Sequence, residues 1–190
     1  SVTNLTINNV ISNNNRSGGL VISNDCSDIH IMNSSFRNNY YDGIAYYDSQ
    51  RIYTQNSSMI DNNGAGISLD LGITDSIFSN CIVDGSGDVG IFIRFASELR
   101  FDHCVIKNSA SWAAFMGHNE EQDDAGVHDS VFSGCHILNN VGGIMMSSET
   151  QEQSSDNSIV GCVFRGNEQS GRRYYQTEGS TLYRAGNINI

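Results

Sequence analysis

Three side chains that can move a proton or hold a charge recur at one interval. Tyr47, Asp70 and Arg94 are separated by 23 and 24 residues, and His118 stands just beyond the next step, at Gly117. An Asp can act as acid or base, an Arg binds a carboxylate or offsets developing charge, and Tyr and His transfer protons. The plainer reading is also open: Asp70 and Arg94 as a surface ion pair of small worth, His118 as a solvated turn residue. Next to His118 lies an acidic run, GHNEEQDDAG at 117–126, with Glu120, Glu121, Asp123 and Asp124. These carboxylates suit a general acid, or oxygen ligands for Ca²⁺ at 120–124, or an ordinary solvated loop. The run is not an EF-hand, which needs Gly at its sixth and Glu at its twelfth place. Beyond possible Ca²⁺ no cofactor is implied, and no metal signature is present.

A common interval of 23–24 residues requires elements that repeat at that interval. Gly19, Gly43, Gly66 and Gly90 each precede an apolar pair, and Ala113, Gly143 and Gly171 continue the series at longer intervals. Upstream runs a second series, Asn9, Asn33, Asn56, Asn80, His103, Gly134 and Gly161. Between them the sequence alternates with period two, as in Leu5-x-Ile7, Cys81-x-Val83 and Ile91-x-Ile93, broken by Asn-rich turns such as Asn13-Asn14-Asn15 and Asn62-Asn63. Period two marks strands, and Asn tolerates the left-handed turn conformation. No stretch sustains a helical apolar stripe. The pattern therefore predicts an all-β solenoid of three short parallel strands per coil, about seven coils of 23–24 residues with inserted turns, plus a partial eighth at 182–190.

In that register Tyr47, Asp70 and Arg94 fall on the outward side of the strand that follows the glycine. The outward rows read Val21, Ala45, Ser68, Phe92, Phe115, Met145, Arg173 and Ser23, Tyr47, Asp70, Arg94, Gly117, Ser147, Tyr175. The acidic run leaves the end of the same strand, and a second insertion, 147–156, follows one coil later. Tyr41, Phe92, Trp112 and Phe115 fall on or beside this side, where aromatic faces suit the C–H faces of sugar rings. Tyr46 and Tyr174 fall inward. Cys81, Cys104, Cys135 and Cys162 share one inward position in four successive coils and predict a buried column of reduced thiols, because parallel Cβ vectors bridge poorly.

The chain has 190 residues and a net charge of −11, with 22 Asn, 26 Ser, 19 Gly, a single Lys and no Pro. An acidic chain repels nucleic acid and anionic membrane surfaces, and its apolar runs are too short to span a bilayer, so neither partner is expected. One domain over 1–190 accommodates the whole length. The sequence opens without Met on a strand pattern, which we read as a fragment of a longer chain.

The repeated Asn-x-x-[Phe/Ile/Val], Asn-rich turn and Gly-[Ile/Leu/Val]-x-[Ile/Leu/Val] resemble the right-handed, single-stranded parallel β-helix superfamily of pectate lyases and phage tailspikes, over residues 2 to about 175. The resemblance implies a secreted or virion-surface protein, polysaccharide as partner, and an assembly such as a homotrimer. It implies an extended glycan in a groove along the outward strand face, with Asp70, Arg94, Tyr47 and His118 as candidate catalytic residues. Trp112, Phe92, Phe115, Tyr41, Glu120 and Asp123 are the candidate substrate contacts. Hydrolysis, with Asp70 and one carboxylate of 120–124 flanking the bond, is favoured over uronide lyase or epimerase chemistry because the face is acidic. The alternative is a non-catalytic glycan-binding tailspike or adhesin shaft.

Overall fold

The computed structural model describes residues 1–117, 126–147, 154–167, 174–176 and 180–190. Its strands lie in three parallel sheets wound as a solenoid. Sheet A runs from Thr3–Asn8 to Ser180–Ala185 and sheet B from Ile11–Asn13 to Ile188–Asn189. Sheet C stacks Leu20–Ile22, Ile44–Tyr47, Ile67–Asp70, Ile91–Arg94, Trp112–Gly117, Gly142–Met146 and Tyr174–Gln176. Seven coils and a partial eighth result, as the repeat predicts. No helix among the described residues is long and apolar enough to cross a membrane.

The columns read from the sequence are the corners of the coils. Asn9, Asn33, Asn56, Asn80, His103, Gly134 and Gly161 all have φ between 49° and 62°, the left-handed conformation that Asn and Gly accept most readily. Asn14, Asn38, Asp61, Gly85, Asn108, Asn139 and Gly166 form a second left-handed corner between sheets B and C. The glycines that open sheet C are required by space. A Cβ on Gly43 would run into the Gly66 carbonyl, the Asn62 amide and the Met59 side chain.

The interior is filled by in-register ladders. Phe78, Phe101 and Phe132 stack with centroids 5.0 and 4.5 Å apart. Tyr46 is fully buried and its hydroxyl meets Thr54 Oγ1 at 2.7 Å, so an inward tyrosine keeps a polar partner. The four cysteines are buried and unbridged, as expected, yet they are more than small apolar fillers. Each thiol donates to a carbonyl of the preceding coil, Cys81 to Thr54, Cys104 to Phe78, Cys135 to Phe101 and Cys162 to Phe132, at 3.3–3.5 Å. Contact with the Cys104 thiol, then burial, push the Cys135 thiol up to about 12. Cys26, unassigned by the repeat, opens a sheet A strand opposite Ser49 and donates to the Ser23 carbonyl at 3.1 Å.

The register expected for the seventh coil needs correction. Placing Gly171 in the glycine column puts Tyr175 in the second outward row. Pairing instead sets Tyr174 opposite Ile144 and Tyr175 opposite Met145, so Tyr175 belongs to the first outward row. The slip is two residues, an even number, so it keeps the period-two alternation along the strand. Arg173 lies outside the described residues.

Candidate functional site

Sheet C carries the candidate residues in the predicted register. Tyr47 pairs with Asp70, and Arg94 pairs with Gly117. Ile93 pairs with Leu69, so Arg94 follows Asp70 one coil on. Adjacent members of the row are therefore about one strand spacing, roughly 4.8 Å, apart along the stack.

Asp70 and Arg94 form a two-point ion pair. Arg94 Nε donates to Asp70 Oδ1 at 3.0 Å and Nη2 to Oδ2 at 2.5 Å. Leu71 N donates to Asp70 Oδ1 at 2.8 Å. The expectation that Asp70 is exposed is overturned: it is 5% exposed, because the guanidinium and the following turn take up its oxygens. Leu71 and Phe95, the residues after Asp70 and Arg94, have φ of 62° and 48°, a conformation that costs a bulky side chain roughly 1–2 kcal/mol. Such strain is frequent at functional turns.

Tyr47 is half-buried. Burial raises its phenol above the ordinary value, with the charge of Asp42 next in effect and a hydrogen bond to Ser68 opposing them. A neutral phenol held this way can donate a proton or a hydrogen bond across the pH range in which carboxylates are charged. Asp42, which the repeat did not single out, sits at the corner before Ile44–Tyr47. Its Oδ1 accepts from Ala65 N at 2.8 Å. Burial raises its carboxyl, the Ala65 amide acts against this, and the like charge of Asp88 adds to it. An acidic residue directly before a column glycine was the available signal.

The aromatic residues form a platform beside this polar row. Phe92 and Phe115 pair in register and stack, with centroids 5.8 Å apart and planes at 10°. Arg94 lies 5.6 Å above the Phe92 ring centre, within cation–π range. The Phe115 ring lies where a Cβ on Gly117 would stand, and the Trp112 ring covers Gly142 in the same way. Both glycines let a large ring lie flat along the sheet. Tyr41 is 57% exposed and packs edge-on to Tyr40 at 5.0 Å. The structure thus brings together Tyr47, Asp70, Arg94, Phe92 and Phe115, with Trp112 and Tyr41 at the upstream margin. His118, Glu120 and Asp123, with the rest of the 118–125 segment, lie outside the described residues. Among the described residues no cluster of three or more His, Cys, Asp or Glu is placed to hold a metal ion.

This solenoid defines a class. Residues 1–122 match the family described as right-handed beta helix region, and the chain belongs to that family. Among solved structures it resembles the A-module of mannuronan C-5 epimerase AlgE4 from Azotobacter vinelandii, with TM-score 0.79 and 15% identity over 100% of this chain and 55% of that one. A periplasmic alginate epimerase, AlgG, gives TM-score 0.69 and 16% identity over 98% of this chain and 40% of that one. Tailspike protein 2 of Escherichia coli O157:H7 bacteriophage CAB120 gives 0.62 and 10% over 91% and 29%. The chain spans about half the length, or less, of these proteins. A search of curated protein sequences gave no match.

Proposed function

We propose that the chain is the glycan-handling part of a polysaccharide-acting β-helix, with an extended polymer lying along the coil axis over sheet C. One observation carries this reading: the Phe92–Phe115 platform, the Asp70–Arg94 pair and Tyr47 stand in register over coils two to five. Flat rings would take sugar faces, and the polar row alongside would take hydroxyls or a carboxylate. The epimerases and the tailspike it resembles in fold support a polymeric sugar and a location outside the cytoplasm. An assembly such as a homotrimer follows the same resemblance, and light scattering at the trimer mass tests it.

The chemistry we favour is hydrolysis. It requires two carboxylates about 5–9.5 Å apart. Asp42 and Asp70 do not meet this, being five register positions apart, roughly 16 Å along the strand. Asp70 would instead act with Glu120, Asp123 or another carboxylate of the 120–124 run, with His118 as a proton carrier and the run's oxygens as ligands for Ca²⁺. A second reading is favoured by Tyr47 sharing the row with Arg94. On a uronan, His118 would take the C5 proton as base while Arg94 offsets the sugar carboxylate, and the neutral Tyr47 phenol would give a proton to the leaving C4 oxygen in elimination or to the opposite face of C5 in epimerisation.

A polysaccharide panel separates these readings. New reducing ends without ultraviolet absorbance mark hydrolysis. An unsaturated uronide absorbance marks lyase action, and a changed C5 configuration by NMR marks epimerisation. Binding without product marks a non-catalytic shaft. Tyr47→Phe and Asp70→Asn are expected to lose turnover by orders of magnitude, and Phe92→Ala to weaken binding about tenfold, with melting curves confirming the fold. Wild-type turnover and affinity in all three variants would place the site elsewhere.

A further inference from the structure

A second surface answers to the chemistry of carbohydrate and is not part of the row on sheet C. At the corner between sheets B and C, over coils one to three, an open groove of about 540 Å³ is lined by Asn14, Asn38, Asn63, Arg16, Asp61 and Tyr40, together with the hydrogen-bonded Asn15–Asn39 pair. That volume is within the range of small-ligand sites. Asn14, Asn38 and Asp61 occupy the same left-handed corner position in successive coils, so their side chains repeat at the coil spacing. The three are exposed and make no side-chain hydrogen bond within the described residues. The same corner in coil five is different: Asn108 Nδ2 is taken up by Asp84 Oδ1 at 2.7 Å. Tyr40 is 60% exposed and is held edge-on by Tyr41, which presents its ring at the groove wall.

The geometry points to a second glycan-binding site in this corner groove, for a neutral sugar unit such as a side branch of the polymer. Primary amides offer a donor and an acceptor to neighbouring hydroxyls, and an aromatic face takes the C–H side of a pyranose. One Arg and one Asp leave the lining without net charge, which disfavours a uronate or phosphate. No aliphatic side chain lines the groove, which disfavours a helix or lipid. It adjoins sheet C through Tyr41 and Asp42, so a branch would reach it from a main chain on that sheet. This inference rests on the glycan reading and not on any chemistry at Asp70.

Affinity electrophoresis of the full chain in galactomannan, xyloglucan, dextran and laminarin tests it. At least one of these neutral polymers is expected to retard the wild-type chain. Tyr40→Ala, and Asn38→Ala combined with Asp61→Ala, should each weaken that retardation about fivefold or more. All three positions are exposed, and an unchanged melting curve verifies folding. Retardation lost in Tyr40→Ala but kept in Phe92→Ala supports the corner site and counts against sheet C. Retardation kept in Tyr40→Ala but lost in Phe92→Ala sinks the corner site and leaves sheet C standing. No retardation by any neutral polymer overturns the inference.

Discussion

Asp42 stands where two effects on a carboxyl oppose each other. Burial lifts its titration above the ordinary 3.8, the Ala65 amide opposes this, and Asp88 adds to the lift. A raised value means that the folded state holds the proton more tightly than the unfolded chain. The stabilisation from this is complete below 3.8 and disappears as pH rises through the folded value. Asp42→Asn keeps an acceptor for the Ala65 amide and does not titrate. Wild-type stability relative to Asp42→Asn should therefore fall as pH rises from 3 to 7, measured by urea unfolding at each pH. A constant difference would contradict the assignment. Asp70 is buried against Arg94, whose side chain is 36% exposed. Asp70→Asn should cost about 1–2 kcal/mol, discounted for solvent at the guanidinium. A double-mutant cycle with Arg94→Ala measures the pair, and a coupling near zero would return it to the status of an ordinary surface contact.

The elements depend on side-chain ladders as well as on strand pairing. At the corner before sheet C, Asn62 Oδ1 accepts from the backbone and side-chain amides of Asn39 at 3.1 and 2.9 Å, and Asn62 Nδ2 donates to Phe36 O at 3.0 Å. Asn140 and Asn167 repeat the bond two coils beyond Ser86 and Ser109. The Ser86 and Ser109 hydroxyls are buried with no hydrogen-bond partner among the described residues. Asn62→Ala strands several buried groups at once and should cost at least about 2 kcal/mol. Ser109→Ala removes a hydroxyl that bonds nothing and should be neutral or slightly stabilising, because its desolvation is lost with it. Chemical denaturation of the two variants checks the contrast, and equal losses would show that the ladder contributes little.

At the scale of the molecule, a solenoid is held by contacts between neighbouring coils. Phe101 lies between Phe78 and Phe132 with both rings stacked on it, in the middle of the core. Phe101→Ala should cost about 3–5 kcal/mol. Because coils couple only to neighbours, the cavity should also divide unfolding, so that probes in the first and last coils no longer melt together. Coincident transitions in the variant would show cooperativity reaching further than one interface.

The sequence by itself determined the coil, the three strands and the inward and outward faces through coil six. The reason is physical: period two assigns each side chain to a face, and the left-handed corners admit few residue types, so Asn9, Asn33, Asn56 and Asn80 mark that corner in the first four coils. The same register placed Tyr47, Asp70 and Arg94 in one row and Phe92 beside Phe115. Spacing failed where insertions change the count, and at Gly171 only strand pairing assigned Tyr175 to the row of Met145. Burial along the outer face was also beyond the sequence. An outward position predicts an exposed Asp70, but the reach of the Arg94 guanidinium and the turn at Leu71 cover it. The raised titration of Asp42 arises from burial and the charge of Asp88 two coils away, against the opposing Ala65 amide one coil away, surroundings that exist only once the coils are stacked.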